Sequence, residues 1–510
     1  MNETETIIVK HDNTFTTIKS AVDKMVNLIK PTYGPAGNKV IISKMTHALV
    51  VDDGVQIARD FALTDPAENA VIRTIREVAI KTNDRVGDGT TSSLIMLQAI
   101  IDQVGKKRQW NGRAIERELK VAVGEVAEQL RAQATQISTQ EELKKVARVS
   151  YDDEAIAEMI SGLYVKLGKD AVITVDKSPT LETTSELSDG ITIDRGYISP
   201  YMITNPERME TVLEKPYFLV TDYRITEPSD IIPLMTKMAN AQKLELVVIA
   251  ENVEQGALAT MIVNKIQGKF FTIAINAPSD GDQKVALEDI ALMLGARMFS
   301  EAKGDKLEDA TIEDLGRATR FISRREDSTI IGPKGDTAEV ATAITALRSA
   351  RDDEKDERKK KELGRRLARF ENTIAVIKVG AMTDNEQKAL KYKVEDAVNA
   401  VKEAFKGGVV CGSGLGLSRL KTSSPLLNEA LKYPARQLLA NMDMEGETLL
   451  KEGEAYNVVT HETGPFMDVG VVDPVEVLIA GVESAVSIAS ILLTSSGMII
   501  EAPKEPATTG

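Results

Sequence analysis

The pattern of apolar and polar positions predicts two amphipathic helices joined by the polar loop 87–93. The apolar residues of the first helix lie at Val71, Ile75, Val78 and Ala79. Those of the second helix lie at Leu94, Leu97, Ile101 and Val104. Asp88 or Thr90 can cap the second helix, whose first N–H groups lack partners within the helix. The same helix start, with its glycines, hydroxyls and carboxylate, also suits a phosphate that carries Mg²⁺, so a capped turn and a phosphate site both stay open.

Elsewhere the periodicity predicts mainly helices towards the two ends of the chain and alternating strands and helices in its middle part. A first helix is predicted over residues 14–30, and Pro31 ends it because proline cannot continue a helix. Residues 112–148 predict further helices. From about Gly190 to residue 373, short apolar strands alternate with helical patterns, which is typical of a separate α/β domain. Strands are predicted at 40–42, 171–176, 218–220, 246–249, 270–274 and 373–379.

Three later segments complete the pattern. The charge-dense run 351–369 predicts a solvated helix with ion pairs one turn apart. A long helix follows the strand 373–379 and carries Asp396 on its polar face. Its apolar face holds Leu390, Val394, Ala397, Val398, Val401 and Phe405. Serine, threonine and glycine interrupt the apolar run 486–500, which therefore predicts a buried helix and a strand, not a bilayer span.

Composition excludes several classes of function. The chain has 510 residues, which suggests about three domains, and 43% of them are hydrophobic, as in soluble globular proteins. Aromatic residues make up only 4%, so the cores must be aliphatic. The net charge of −14 argues against a nucleic-acid partner and against an anionic membrane surface, because both need a basic face.

The scarcity of cysteine and histidine bears on the cellular location and on metal binding. Cys411 is the single cysteine, so no disulfide can form within the chain, and a reducing, cytoplasmic location is expected. The polar, acidic residues 1–6 do not look like a signal peptide. The three histidines are widely spaced, which disfavours a histidine metal site.

Short motifs alone leave the function open. The chain contains no Walker sequence, and Gly412-Ser413-Gly414 does not belong to a proper G-x-G-x-x-G fingerprint. Three glycine turns, at 31–37, 87–93 and 407–414, lie next to helix or strand ends and suggest a nucleotide held by backbone groups. These patterns support a soluble multidomain α/β protein, with nucleotide binding as one interpretation.

Longer motifs, taken together in chain order, are more specific than these glycine turns. They are Thr32-Tyr33-Gly34-Pro35-Ala36-Gly37, Val86-Gly87-Asp88-Gly89-Thr90-Thr91, Asp194-Arg195-Gly196-Tyr197-Ile198-Ser199-Pro200-Tyr201, Ala375-Val376-Ile377-Lys378-Val379-Gly380-Ala381, Val394-Glu395-Asp396-Ala397, Tyr456-Asn457 and Asp468-Val469-Gly470-Val471-Val472-Asp473-Pro474. This set resembles the motifs of the GroEL-type (group I) chaperonins, and the resemblance covers residues 14–503.

The resemblance implies a three-domain chaperonin architecture. A mostly helical equatorial domain, which binds ATP and makes ring contacts, would comprise residues 1–133 and 407–510. A small α+β intermediate domain would comprise 134–188 and 374–406, and an α/β apical domain would comprise 189–373. Family members form homo-oligomeric rings, so a seven-membered ring is expected, either single or stacked in pairs.

The resemblance also implies site residues for an ATPase that uses Mg²⁺, with K⁺ as a further candidate cofactor. Asp396 matches the catalytic carboxylate that orients or activates water, with Asp53 as a second catalytic carboxylate, and Asp88 matches the metal-linked one. The residues expected to bind nucleotide are Thr32, Tyr33, Gly34, Pro35, Asp88, Gly89, Thr90, Thr91, Ser92, Val149, Gly412, Ser413, Gly414, Asn457, Val458, Val459, Val471 and Asp473.

Polypeptide binding is implied for an apolar rim in the apical domain, because apolar burial is non-directional and tolerates many partners. The rim residues would be Tyr197, Tyr201, Met202, Ile232, Met235, Leu258, Ile262 and Val263. Unfolded or misfolded chains would bind there, and a co-chaperonin lid would use the same surface. Periodicity alone favours the protein core for these positions.

Four departures from the family pattern indicate a divergent member, either viral and located in a host cytoplasm or from a divergent bacterium. Asp52 replaces the usual lysine, Ser413 interrupts a triple glycine, and Asn372-Thr373 replaces a Gly-Gly hinge. The usual Gly/Met-rich tail is missing. Because Asp52 puts a negative charge near triphosphate, a ring-forming holdase with weak ATPase activity is the alternative. A small-molecule enzyme that uses a nucleotide is the third hypothesis.

Overall fold

The computed structural model describes residues 6–9, 11–43, 48–51, 53–206, 208–279, 282–444 and 453–501. Asp52, whose charge motivated the holdase alternative, lies outside these ranges. The helices are α1 His11–Ile29, α2 Gly54–Asp60, α3 Pro66–Val86, α4 Thr90–Gly105, α5 Gly112–Gln133, α6 Gln140–Ser150, α7 Glu154–Leu167, α8 Ile232–Asn240, α9 Gln255–Ile266, α10 Gln283–Leu294, α11 Thr337–Asp353, α12 Glu357–Phe370, α13 Asp384–Gly407, α14 Leu415–Ser418, α15 Pro425–Ala430, α16 Tyr433–Ala440 and α17 Val475–Thr494.

The strands are β1 Thr6–Val9, β2 Val40–Ser43, β3 Ala48–Val51, β4 Val172–Lys177, β5 Thr184–Ile193, β6 Thr211–Glu214, β7 Tyr217–Thr221, β8 Arg224–Ile225, β9 Glu245–Ala250, β10 Asn252–Val253, β11 Phe271–Asn276, β12 Met298–Phe299, β13 Gly316–Ser323, β14 Ser328–Pro333, β15 Thr373–Val379, β16 Val409–Cys411, β17 Glu454–Asn457, β18 Glu462–Pro465, β19 Val472–Pro474 and β20 Met498–Glu501. The multidomain α/β fold class is confirmed. The predicted strand 373–379 matches β15 to the residue.

The chain divides into two compact units. Unit 1 comprises Met1–Ala171, Val175–Ser185 and Ile377–Gly510, and unit 2 comprises Val172–Thr174 and Glu186–Val376. The finer division into equatorial, intermediate and apical domains stays a prediction.

The core of unit 1 surrounds helix α17, which packs against α3, α4 and α5. By length and composition alone α17 could cross a membrane, but 72% of its most apolar stretch is buried inside the protein. It is followed by β20, which pairs antiparallel with β1 near the other end of the chain. The predicted buried helix and strand are therefore both present in this part of the chain.

Unit 2 is organised on a long mixed sheet. The strands of this sheet run in the order β11-β9-β7-β13-β14-β5-β15-β4, and the last three each contain residues of both units. β11, β9 and β7 are parallel, whereas β7, β13, β14 and β5 pair antiparallel. The core is mainly aliphatic, as the low aromatic content requires, with one edge-to-face pair between Phe218 and Phe321.

The charge-dense run is not one solvated helix, as the sequence predicted. It spans the end of α11 and most of α12, which residues 354–356 separate. One face of α12 is buried through Leu367 and Phe370. On that face Arg366 Nη2 lies 2.7 Å from Asp289 Oδ1, and Arg369 Nη1 lies 3.0 Å from Asp289 Oδ2. The density of charge predicted an exposed helix. The prediction failed because the sequence does not reveal that a buried acid on α10 pairs with these arginines.

Candidate functional site

The loop between α3 and α4 leaves the start of α4 open. Gly87 and Gly89 have φ values of +71° and +81°, a left-handed conformation that favours glycine. Gly89 is the N-cap residue of α4, and no side chain caps this helix. The predicted capping by Asp88 or Thr90 is wrong, because the Asp88 carboxylate accepts a hydrogen bond from Gly89 N at 2.5 Å and Thr90 is the first helical residue. The first N–H groups of α4 are therefore available to an anion.

The hydroxyls that follow have different roles. Ser92 Oγ donates to Gly89 O at 2.9 Å, and Ser93 Oγ donates to Thr90 O at 2.7 Å, so both serve the first turn of the helix. Thr90 is only 4% exposed, and its Oγ1 has no hydrogen-bond partner in the described parts of the chain. A buried hydroxyl without a partner is costly, so this position favours a ligand that accepts or donates a hydrogen bond there.

Helix α13 packs directly against this loop. A β-carbon at Gly87 would overlap the side chain of Asn399, so the two residues are in close contact. Asp396 lies three residues earlier on the same helix and is partly buried. The structure thus brings the predicted catalytic helix to the predicted phosphate loop. Asn399 was not predicted, although its spacing of three from Asp396 placed it on the same helix face.

Three carboxylates and a tyrosine share this region. Asp53 caps α2 by accepting a hydrogen bond from Val55 N at 2.9 Å. Water can reach Asp88, yet the dense protein surroundings desolvate it and raise the pKa of its carboxyl, with a further rise from Asp53. Desolvation, then repulsion from Asp88, raises the pKa of Asp473 to about 7. Desolvation and the charges of Asp473 and Asp88 also raise the pKa of Tyr33. Such a concentration of negative charge favours a bound cation.

The raised pKa of Asp473 predicts a pH-dependent stability. Between about pH 3.9, the ordinary pKa of an aspartate, and about pH 7, the folded protein binds more protons than the unfolded chain. The free energy of unfolding therefore falls as the pH rises through this range, and the full loss is reached above about pH 7. Asp473→Asn, which resembles the neutral acid, should therefore stabilise the ligand-free protein by about 2 kcal/mol at pH 8 and by almost nothing at pH 4. Denaturant unfolding at the two pH values measures this difference.

The matched control is Asp468→Asn, which removes an exposed carboxylate a few residues earlier. This variant should change stability little at either pH. A loss of stability for Asp473→Asn at pH 8 would contradict the argument.

The first glycine loop, residues 31–37, contacts Leu438 in helix α16 and Asn441 just after that helix. Gly34 has φ +84°, and a β-carbon there would overlap Leu438. Asn441 Nδ2 donates to Lys30 O at 2.9 Å and to Tyr33 O at 2.8 Å. Thr32 Oγ1 donates to Ile29 O, so its proton is not available to a phosphate oxygen, although the hydroxyl oxygen can still accept a hydrogen bond. Leu438 and Asn441 were not predicted, because only the fold brings them within reach of residues 30–34.

The third glycine loop joins the carboxylate cluster. Gly414 N donates to the Asp473 carboxylate, and Gly412 N donates to Val471 O at 2.9 Å. Ser413 adopts φ +58°, so it takes the left-handed conformation in which the family usually has glycine. Val471 is buried against Cys411 and Ala455. This loop therefore lies next to Asp473, and the resemblance implies nucleotide binding for both; that role stays a prediction.

The side chain of Asn457, a predicted nucleotide contact, is engaged in hydrogen bonds within the protein. Asn457 Nδ2 donates to Val469 O at 2.8 Å, and its Oδ1 accepts from the N–H groups of Val459 and Thr460. Its side chain therefore shapes the turn that carries Val458 and the exposed Val459. Val149 lies on α6 with half of its surface exposed.

Residues 25–503 match the TCP-1/cpn60 chaperonin family. The chain belongs to this family. The resemblance to chaperonins that the motifs indicated is therefore confirmed.

Two crystal structures of the chaperonin gp146 from bacteriophage EL 2 (Pseudomonas aeruginosa), both in the presence of ATP-BeFx, have a similar fold. Crystal form II has 22% sequence identity and a TM-score of 0.66, and covers 98% of this chain and 100% of gp146. Crystal form I has 22% identity and a TM-score of 0.61, with 97% and 99% covered. The likeness shows that the chaperonin fold extends over almost the whole chain.

In this chaperonin only part of the predicted polypeptide-binding set is accessible. Tyr201, Ile232 and Val263 are 66%, 44% and 49% exposed, and Leu258 and Ile262 are partly buried beside them on α9. Tyr197, Met202 and Met235 are 8%, 0% and 6% exposed and belong to the core of unit 2, so the prediction that they form the rim is wrong in this conformation. Ile266, 66% exposed at the end of α9, was missed although it continues the helical spacing from Ile262.

The surroundings of Asp88 suit a cation that arrives together with phosphate. Within the described ranges no group of three or more histidine, cysteine, aspartate or glutamate side chains has metal-binding geometry. Mg²⁺ commonly takes one or two carboxylates and completes its shell with phosphate oxygens and water. Asp88, next to an uncapped helix start and the spare Thr90 hydroxyl, suits that mode of binding.

Proposed function

We propose that this protein is an ATP-driven ring chaperonin that binds non-native polypeptides and releases them for folding. The observation that carries the proposal is the packing of α13 on the loop 87–89, because it brings the helix of Asp396 to an uncapped helix start. Phosphate would bind the N–H groups of α4 and the Thr90 hydroxyl. The crystallisation of gp146 in the presence of ATP-BeFx supports nucleotide binding.

The chemistry would be hydrolysis of the terminal phosphate. Asp88 would hold a Mg²⁺ ion, which would supply positive charge to offset the negative charge that develops on the phosphate. Asp396 would accept a hydrogen bond from the attacking water and orient it. The loops 32–35 and 412–414, with Asp473, would hold the nucleoside. Asp53 would keep α2 in place through its cap and add negative charge near the metal.

Polypeptide capture would use the exposed apolar side chains of α8, α9 and the turn at Tyr201. Tyr201, Ile232, Val263 and Ile266 are each at least 44% exposed. An apolar surface of this kind suits unfolded chains because its attraction does not depend on a particular partner. We further propose equatorial, intermediate and apical domains, a homo-oligomeric ring and a cytoplasmic location, with a co-chaperonin lid as a candidate partner.

Particle images of the purified full-length protein, with and without Mg-ATP, test the proposal together with a phosphate-release assay. We expect rings whose shape changes with ATP, and phosphate release that a denatured client protein stimulates. Monomers or dimers that hydrolyse ATP would instead support a small-molecule enzyme. Rings that prevent client aggregation without hydrolysis would support the holdase.

A further inference from the structure

Asn399 has an unused carboxamide beside the phosphate loop. Its side chain occupies the space that a β-carbon of Gly87 would need, so it lies against the loop that leads into α4. The residue is partly buried. No hydrogen-bond partner for either amide atom occurs among the residues that the structure describes.

The surrounding polar groups are already engaged in hydrogen bonds. Asp88 accepts from Gly89 N, and Ser92 Oγ donates to Gly89 O. Thr90 Oγ1 is fully enclosed and also has no hydrogen-bond partner among the described residues. Two unused groups therefore flank the open start of α4: a hydroxyl on the helix itself and a carboxamide on the helix that packs over the loop.

The position of Asn399 relative to Asp396 narrows its role. Residues three apart on a helix lie on one face, so both side chains project from the side of α13 that meets the loop. A carboxylate can accept a proton or a hydrogen bond from water, but it repels phosphate. A carboxamide carries two N–H donors and no charge, so it can donate to a phosphate oxygen at the same place.

We infer that Asn399 donates a hydrogen bond to the terminal phosphate of bound ATP and thereby holds α13, with Asp396, over the phosphate to be cleaved. This inference rests on the proposed function and adds a substrate contact to it. ADP lacks the terminal phosphate and cannot receive this hydrogen bond. The residue therefore distinguishes ATP from ADP, and its contact is lost after hydrolysis and phosphate release.

The test compares the affinities of Asn399→Ala and the wild-type full-length protein for Mg-ATPγS and Mg-ADP by calorimetry. We expect Asn399→Ala to bind ATPγS about tenfold more weakly and ADP unchanged, because one hydrogen bond to a charged group is lost. The turnover number should also fall, since α13 is no longer held by the substrate. Asn399→Gln, which keeps the amide on a longer side chain, should restore part of the preference for ATPγS.

Asn385→Ala is the matched control, because it removes an exposed carboxamide from the first turn of the same helix. It should leave both affinities unchanged. Equal weakening of ATPγS and ADP in Asn399→Ala would indicate a structural role and overturn the inference, as would two unchanged affinities. If the wild-type protein binds neither nucleotide, the proposed function itself fails, so the two failures are distinguishable.

Discussion

Asp396→Asn is expected to lower the rate of ATP hydrolysis by about 100-fold or more while leaving ATP affinity nearly unchanged. The carboxylate lies on α13, which packs on the loop 87–89, and asparagine keeps its size but is a far weaker acceptor for the proton of water. Single-turnover phosphate release, combined with calorimetric titration of Mg-ATPγS, separates the chemical step from binding. The same variant should still bind client polypeptide, because unit 2 is untouched.

Glu386→Gln provides the control for the change in charge. It removes an exposed carboxylate from the first turn of α13, far along the helix from the loop. Its hydrolysis rate should equal that of the wild-type protein. An Asp396→Asn variant that retains more than about a tenth of the wild-type rate would remove Asp396 from the catalytic role.

Gly87→Ala is expected to destabilise unit 1 by about 2–4 kcal/mol and to abolish most of the ATPase activity. Alanine at φ +71° is strained, and its β-carbon would overlap the Asn399 side chain. The collision would push α13 away from the loop and with it Asp396. Thermal unfolding and phosphate release measure the two effects.

Two further variants distinguish backbone strain at residue 87 from overlap of its β-carbon with Asn399. Gly124→Ala lies within helix α5, where a β-carbon meets no atom within 4 Å, so it should stabilise the protein by up to about 1 kcal/mol. The double variant Gly87→Ala with Asn399→Ala removes the overlapping side chain and should recover part of the lost stability. If the double variant is as unstable as Gly87→Ala, then backbone strain and not contact with α13 explains the cost.

Local sequence patterns predicted the elements that depend on local chemistry. Strand β15 and the pair of helices around loop 87–93 follow from periodicity, and the three glycine turns lie at the site because positive φ values need glycine. The short helix α2, which Asp53 caps, was not predicted.

Features that depend on long-range contacts could not be predicted. Nothing near Asn399 or Asn441 in sequence shows that they meet Gly87 and Tyr33. Periodicity favoured the core for Met202 and Met235, whereas the family resemblance implied the rim, and the packing of unit 2 places both residues in the core. The family resemblance supplied roles for residues, but it could not state which of them are accessible in this conformation.

Unit 2 leaves and rejoins the rest of the chain at one place. Gly190 N donates to Asn372 O at 3.1 Å, so the outgoing and returning strands run side by side there. Residues 186–376 therefore form an insertion whose two ends are close enough for a short turn to join them. In evolutionary terms such an insertion can be lost, replaced or exchanged for another domain while the chain path of unit 1 stays the same.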